Sequence, residues 1–143
     1  MTEIINSFTP PYSFLSSFYM KAPLFDENGI PFKSVHQALI AKFTDDLDIK
    51  KMIAAMKSPE EIRAFGMSLT ERRSVDDWQI QVMFELNFRK FTEYPILGDK
   101  LKETKPAKLQ NSLLYNDPFW GIYKGVGRDE LGKILMEIRD KHL

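Results

Sequence analysis

No cysteine occurs among the 143 residues, and only two histidines do. The first absence excludes disulfides, thiolate metal sites and a cysteine nucleophile. The two histidines, His36 and His142, lie far apart, and no pair of metal-ligating residues has a recognisable spacing, so no metal and no cofactor are expected. No Gly-x-Ser-x-Gly is present to support a serine nucleophile. Charge of one sign is also lacking. Twenty basic and twenty acidic residues cancel, so no global field draws the chain to nucleic acid or membrane, although a local basic groove stays open. No apolar run approaches ~18 residues, so no membrane span is expected. The opening MTEIINSFTPPYSF has neither a basic region nor a long apolar stretch, which argues against a secretory signal. Together with the missing cysteine, this fits a cytoplasmic protein. Repeats, low-complexity tracts and linkers are absent too, and the length suits one domain over 1–143 with a sizeable core.

What is present is ordinary globular material, 43% hydrophobic and 28% charged, with clear local signals. The aromatic-rich stretch YSFLSSFYMKAPLF is irregular or strand-like. DENG at 26–29 followed by IPF predicts a hairpin turn at Asn28-Gly29. Ser34 with Gln37 is a capping-box pattern opening a helix over 35–43. Thr44 is placed to cap a second helix, with Ile49, Met52, Ile53 and Met56 on one stripe. SPEE at 58–61 starts a third. In 76–91, Trp78, Val82 and Leu86 form one apolar stripe and Ile80, Phe84 and Phe88 another, which predicts a buried, central helix. A last helix follows Asp129 with Leu131, Ile134, Leu135 and Ile138 inward. The expectation is a mostly helical α+β domain with a small β-hairpin or sheet.

GRDELGK, 127–133, has the G-x-x-x-x-G-K spacing of a phosphate-cradling loop. Ile134 stands where that loop needs Ser or Thr to hold Mg²⁺, and Asp129 and Glu130 would repel phosphate. The plainer reading makes Asp129 a helix cap and Gly132 a point of close packing. A backbone N–H cluster able to hold a diphosphate is left open.

Two features are less easily explained by packing. Val35, Ala38, Leu39 and Lys42 fall on one helical stripe, so a lysine occupies a core position. Either its head snorkels to water, or it is desolvated and becomes a nucleophile toward carbonyl-type carbons. In NDPFWG, 116–121, Asp117 sits beside two large aromatic rings. Either it closes an Asx-type turn, or it is a general acid or base near a ring that stacks a nucleobase.

These stretches are similar to those of the NADAR family, named for its association with NAD and ADP-ribose metabolism. YSFLSSFY (12–19), GIPFKSVHQALIAK (29–42), Asp77-Trp78, Met83, Lys90-Phe91, Leu101 and Thr104 keep the family's order. DPFWGIYKGVGRDELGKILMEIR, from Asp117 to Arg139, is the most specific part. The resemblance implies hydrolysis of N-glycosidic bonds to ribose. One implied substrate is an ADP-ribosylated nucleic acid base, guanine in DNA being the expected one. The activity would then reverse a toxin-made mark in conflict between a host and its parasites. The other is a phosphoribosyl intermediate of riboflavin synthesis. It implies Lys42 as the attacking group, through an imine-like intermediate released by water, and Asp117 as proton shuttle. Trp78 and Trp120 would wall the pocket, Arg128 or Arg139 would meet phosphates, and Ser17, Asn111 and Gly121 would complete the substrate-binding set.

Three departures bear on turnover. His36-Gln37 stands in place of the family's Glu-His, Ser17 in place of an Asn, and Asn111 in place of an acidic residue. His36 near a helix N-terminus would have a lowered pKa and could take the acid/base role, or be a plain surface group. If the lost groups are needed for turnover, the chain is a binder of ADP-ribose or nucleic acid derived from the enzyme. The lysine-rich KETKPAK (102–108) favours an anionic polymer as partner.

Overall fold

The computed structural model describes residues 3–69 and 76–143. The protein is α+β. In chain order it has β1 (Ile4–Ile5), a 3-10 turn (Ser13–Leu15), β2 (Leu24–Phe25), β3 (Pro31–Phe32), α1 (Val35–Ala41), α2 (Leu47–Ala55) and α3 (Pro59–Ser68). There follow α4 (Asp76–Glu93), α5 (Pro95–Glu103), β4 (Lys108–Leu109), β5 (Ser112–Leu113), β6 (Ile122–Tyr123) and α6 (Glu130–Lys141). The chain forms two compact units, one from Ser17 to Leu86, the other from the start of the described chain to Ser16 with Asn87–Leu143.

In the Ser17–Leu86 unit, β2 and β3 pair antiparallel, Leu24 opposite Phe32. Asp26 builds the turn by accepting the N–H groups of Asn28 and Ile30 on Oδ1, and Gly29 takes the positive φ of 75° that the turn requires. Ser34 caps α1 by accepting the Gln37 N–H. Three side chains then donate to carbonyls at the helix ends. Gln37 donates to the carbonyls of Ile53 and Met56, Lys33 to that of Ala54, and Lys50 to that of Ala41 at 2.8 Å. α1 packs on α2, α3 and β3, with Gly66 of α3 so close that a Cβ there would lie 2.7 Å from Ile40. The cap of α2 is Asp46, not Thr44: Asp46 accepts the N–H groups of Asp48 and Ile49, while Thr44 accepts that of Asp46. The buried stripe is Lys50, Ile53 and Met56, with Ile49 half-buried and Met52 outside.

In the other unit, β1 pairs parallel with β4, and β5 parallel with β6. α6 packs on β4 and α5, burying Leu131, Ile134, Leu135 and Ile138, each worth roughly 1.5–3 kcal/mol of hydrophobic stabilisation. α4 belongs to both units, divided at Leu86/Asn87. It is not buried all round. Gln79, Val82, Met83, Leu86, Asn87, Lys90 and Phe91 form its one buried stripe, whereas Ile80 and Phe84 are half-exposed and Phe88 is exposed. Three polar residues thus take the inner positions that a purely apolar pattern assigns elsewhere.

Candidate active site

The first group of candidate residues lies in the Ser17–Leu86 unit. The His36 ring is buried and stacks on Phe18, centroids 4.4 Å apart. Its backbone N–H donates to the Ser17 carbonyl at 2.9 Å, and Nδ1 is 3.5 Å from Ser17 Oγ. Ser17 and His36 are therefore brought together. Burial, then the Arg63 guanidinium, lowers the His36 pKa to about 4. The direction matches the expectation, but the causes are desolvation and a cation, and the ring is no surface group. Gln37 at the family's His position is wholly buried and holds α1 to the end of α2.

Lys42 is the C-cap of α1. Its side chain is 38% exposed, with Nζ 3.9 Å from the carboxylate of Glu27 in the hairpin turn. Val35, Ala38 and Leu39 are buried as the stripe requires, but the helix ends before Lys42, so the head group reaches water instead of a desolvated pocket. The sequence pattern did not single out Glu27, whose only signal was its place in the turn before α1. Six positions separate His36 from Lys42, about 9 Å of helical rise and roughly 240° of rotation, whereas the Glu27 carboxylate lies beside the lysine. Trp78 is half-exposed and lies 6.0 Å from the neighbouring ring of Phe43.

The second group lies in the other unit and is organised by NDPFWG. Asp117 Oδ1 accepts the N–H groups of Phe119 (3.2 Å) and Trp120 (3.0 Å), closing an Asx-type turn. Trp120 is buried edge-on to Phe119. Asn111 Nδ2 donates to the Trp120 carbonyl, and a Cβ on Gly121 would lie 2.3 Å from the Asn111 carbonyl oxygen, so only glycine fits. Arg128 lays its guanidinium 4.7 Å from the Phe119 ring centroid and pairs with Glu130 at 3.1 Å. Asn111, Asp117, Trp120, Gly121 and Arg128 thus form one cluster. Arg139 lies elsewhere in the unit, buried, donating to Ala107 O, Thr104 Oγ1 and the Asp140 carboxylate.

The start of α6 answers the question raised by GRDELGK. The N–H groups of Arg128, Asp129, Glu130 and Leu131 donate to the carbonyls of Pro118, Gly121, Phe119 and Trp120. That of Gly132 donates to the Asp129 carboxylate. The N–H cluster is spent within the chain, on the Asp117 turn and the helix cap, and cradles no diphosphate. Asp129 also accepts the Asn111 N–H, and burial, opposed by these hydrogen bonds and by Lys108 and Lys133, raises its pKa to about 6.

Lys90, unlike Lys42, is desolvated. It is 1% exposed, donates to the Ser16 carbonyl at 3.1 Å, and lies 5.1 Å from the Phe91 ring centroid. Burial lowers its pKa to about 7. In α4 it shares a buried stripe with Met83 and Asn87, too polar a set to mark a core position in the sequence.

Comparison with known proteins gives concordant results. The family model described as NADAR domain matches residues 5–142. N-glycosidase YbiA of Shigella flexneri is 31% identical over 96% of this chain and 88% of its own length. The chloroplastic riboflavin biosynthesis protein PYRR of Arabidopsis thaliana is 32% identical over 67% of this chain, which spans only 17% of that longer protein. The NMR structure of the E. coli protein YbiA superposes with a TM-score of 0.80 at 28% identity, covering 99% of this chain and 86% of that one.

Proposed function

The chain belongs to the NADAR domain family, and we propose that it is an N-glycosidase that removes ADP-ribose from a modified nucleic acid base, guanine in DNA being the substrate to test first. The observation that carries the reading is the Lys42–Glu27 pair, a lysine within reach of substrate with a carboxylate 3.9 Å away. An amine attacks only without its proton, and Glu27 is placed to take it. The lysine lone pair forms a bond to ribose carbon 1 as the glycosidic electron pair leaves with the base nitrogen. That nitrogen receives a proton, a role for which the family resemblance implies Asp117. Opening of the sugar ring gives an imine between Lys42 and the ribose, and water hydrolyses it to free ADP-ribose and regenerate the amine. By the family resemblance Trp78, half-exposed, offers a ring face to the substrate and Arg128, stacked on Phe119 at the surface, meets a phosphate, while the buried Trp120 packs within its own turn. Ser17 and His36 shape the loop ahead of β2, and Gly121 and Asn111 hold the Asp117 turn. The neutral His36 ring is a positioning group in this scheme.

The name of the Shigella relative supports glycosidase chemistry, and that of the Arabidopsis relative, a riboflavin biosynthesis protein, is the reason to test a second substrate class, a phosphoribosyl intermediate. One experiment separates the readings: single-turnover release from guanine-ADP-ribosylated single-stranded DNA, and from a phosphoribosyl-amine, with and without borohydride. Wild type is expected to release ADP-ribose and to be trapped as a reduced adduct. Lys42→Ala should lose both, by about 10³-fold or more. Glu27→Gln and Asp117→Asn should each slow release by about 10²-fold. An undiminished Lys42→Ala variant refutes the lysine mechanism. Release from the phosphoribosyl compound alone selects the second substrate, and retention of modified DNA without turnover identifies a binder.

A further inference from the structure

A cavity of about 380 Å³ is lined by Glu3, Ile5, Pro11, Tyr12, Phe14, Lys100, Glu103, Thr104, Lys105 and Pro106, none of which has a role in the proposed chemistry. Its size falls within the roughly 300–1,000 Å³ of small-molecule sites. Ile5, Phe14 and Thr104 are buried and make its floor; the charged residues and both prolines are exposed and make its rim. Thr104 Oγ1 already donates to the Leu101 carbonyl and accepts from Arg139, so the floor is internally satisfied. Lys100 Nζ stands 5.8 Å from the Phe14 ring centroid, a cation–π contact that keeps its ammonium over the floor.

We propose that this groove is a nucleotide-binding subsite that uses none of Lys42, Glu27 and Asp117. Two lysines and two glutamates cancel on its rim, so it has no net field for a bare polyanion. It suits a ligand that presents an anion at one end and hydrogen-bond donors at the other. A nucleotide does so: its phosphate meets Lys100 and Lys105, its sugar hydroxyls or exocyclic amine donate to Glu3 or Glu103, and its base lies against Tyr12 and the prolines. The nucleotide is either free or part of a strand. Only that second case rests on the function proposed above.

The test is amide chemical-shift mapping of the full chain with AMP, with an unmodified single-stranded DNA decamer, and with inorganic phosphate, none of which needs turnover. AMP or the decamer should shift the amides around 12–14 and 100–107. Tyr12→Ala and Lys105→Ala, each with an otherwise native spectrum, should weaken that binding about tenfold. At least tenfold tighter decamer binding assigns the groove to a strand, and tighter AMP binding to a free nucleotide. The proposal is overturned if neither probe shifts these amides, if phosphate alone shifts them equally, or if both variants bind like wild type. Turnover of a small glycoside by Lys105→Ala should stay at wild-type level. Failure of the Lys42 chemistry leaves the binding result standing.

Discussion

Burial against Phe18, with Arg63 nearby, lowers the His36 pKa to about 4, so the folded state favours the neutral ring. Its stabilising contribution is complete above the unfolded value near 6.5 and is lost as pH falls from there toward 4. His36→Phe keeps a ring on Phe18 and removes the titration. Thermal unfolding at pH 7.5 and 5 should show wild type losing more stability than the variant, and equal losses would contradict the assignment. Lys90 titrates in a higher window. Its pKa is about 7 in place of 10.5, so the neutral amine's contribution is complete above 10.5 and shrinks as pH falls toward 7. Denaturant unfolding at pH 7, 8.5 and 10 should therefore rise more steeply for wild type than for Lys90→Met. At pH 7 the variant should be at least as stable, because a buried ion replaced by an apolar group of similar length often costs nothing.

Among the elements, α6 depends most on one residue. Asp129 adopts the left-handed conformation (φ 52°) while capping the helix and holding the Asn111 N–H. Asn tolerates that backbone and keeps an accepting oxygen, whereas Ala supplies neither property. Asp129→Asn should stay within about 0.5 kcal/mol of wild type at pH 7, and Asp129→Ala should lose about 2 kcal/mol or more. Equal losses from the two variants, measured by chemical denaturation, would show that the carboxylate charge, not the cap, is what matters. The same helix entry is locked by carbonyls of Pro118, Phe119 and Trp120, so damage to the cap should also disturb the Asp117 turn.

At the scale of the molecule, zero formal net charge limits how strongly nucleic acid can be held without the modification. Affinity for unmodified duplex DNA should be weak, and the slope of log K against log salt shallower than about −3, equivalent to only a few neutralised phosphates. Fluorescence anisotropy between 50 and 200 mM salt checks this. A steep slope would mean that a basic surface outweighs the overall balance.

Local patterns settled much of this protein. The caps at Ser34 and Ser58, the Asn28-Gly29 turn and the stripe of α6 were readable because each depends on neighbours within one or two turns of chain. The string from Asp117 to Arg139 identified the family, and the Asx-type turn was one of the two readings that residue allowed. Which lysine loses its water was not readable. The argument that singled out Lys42, a lysine on an apolar stripe, holds instead for Lys90, because α1 stops at Ala41 whereas α4 runs on past Lys90. Burial of a charged side chain is decided by what packs over it. For Lys90 that includes the Ser16 carbonyl, 74 residues away. Glu27 beside Lys42, Asn111 against Asp129 and the spent N–H groups of α6 were likewise fixed by tertiary packing, since contacts across that much chain leave no periodicity in the sequence.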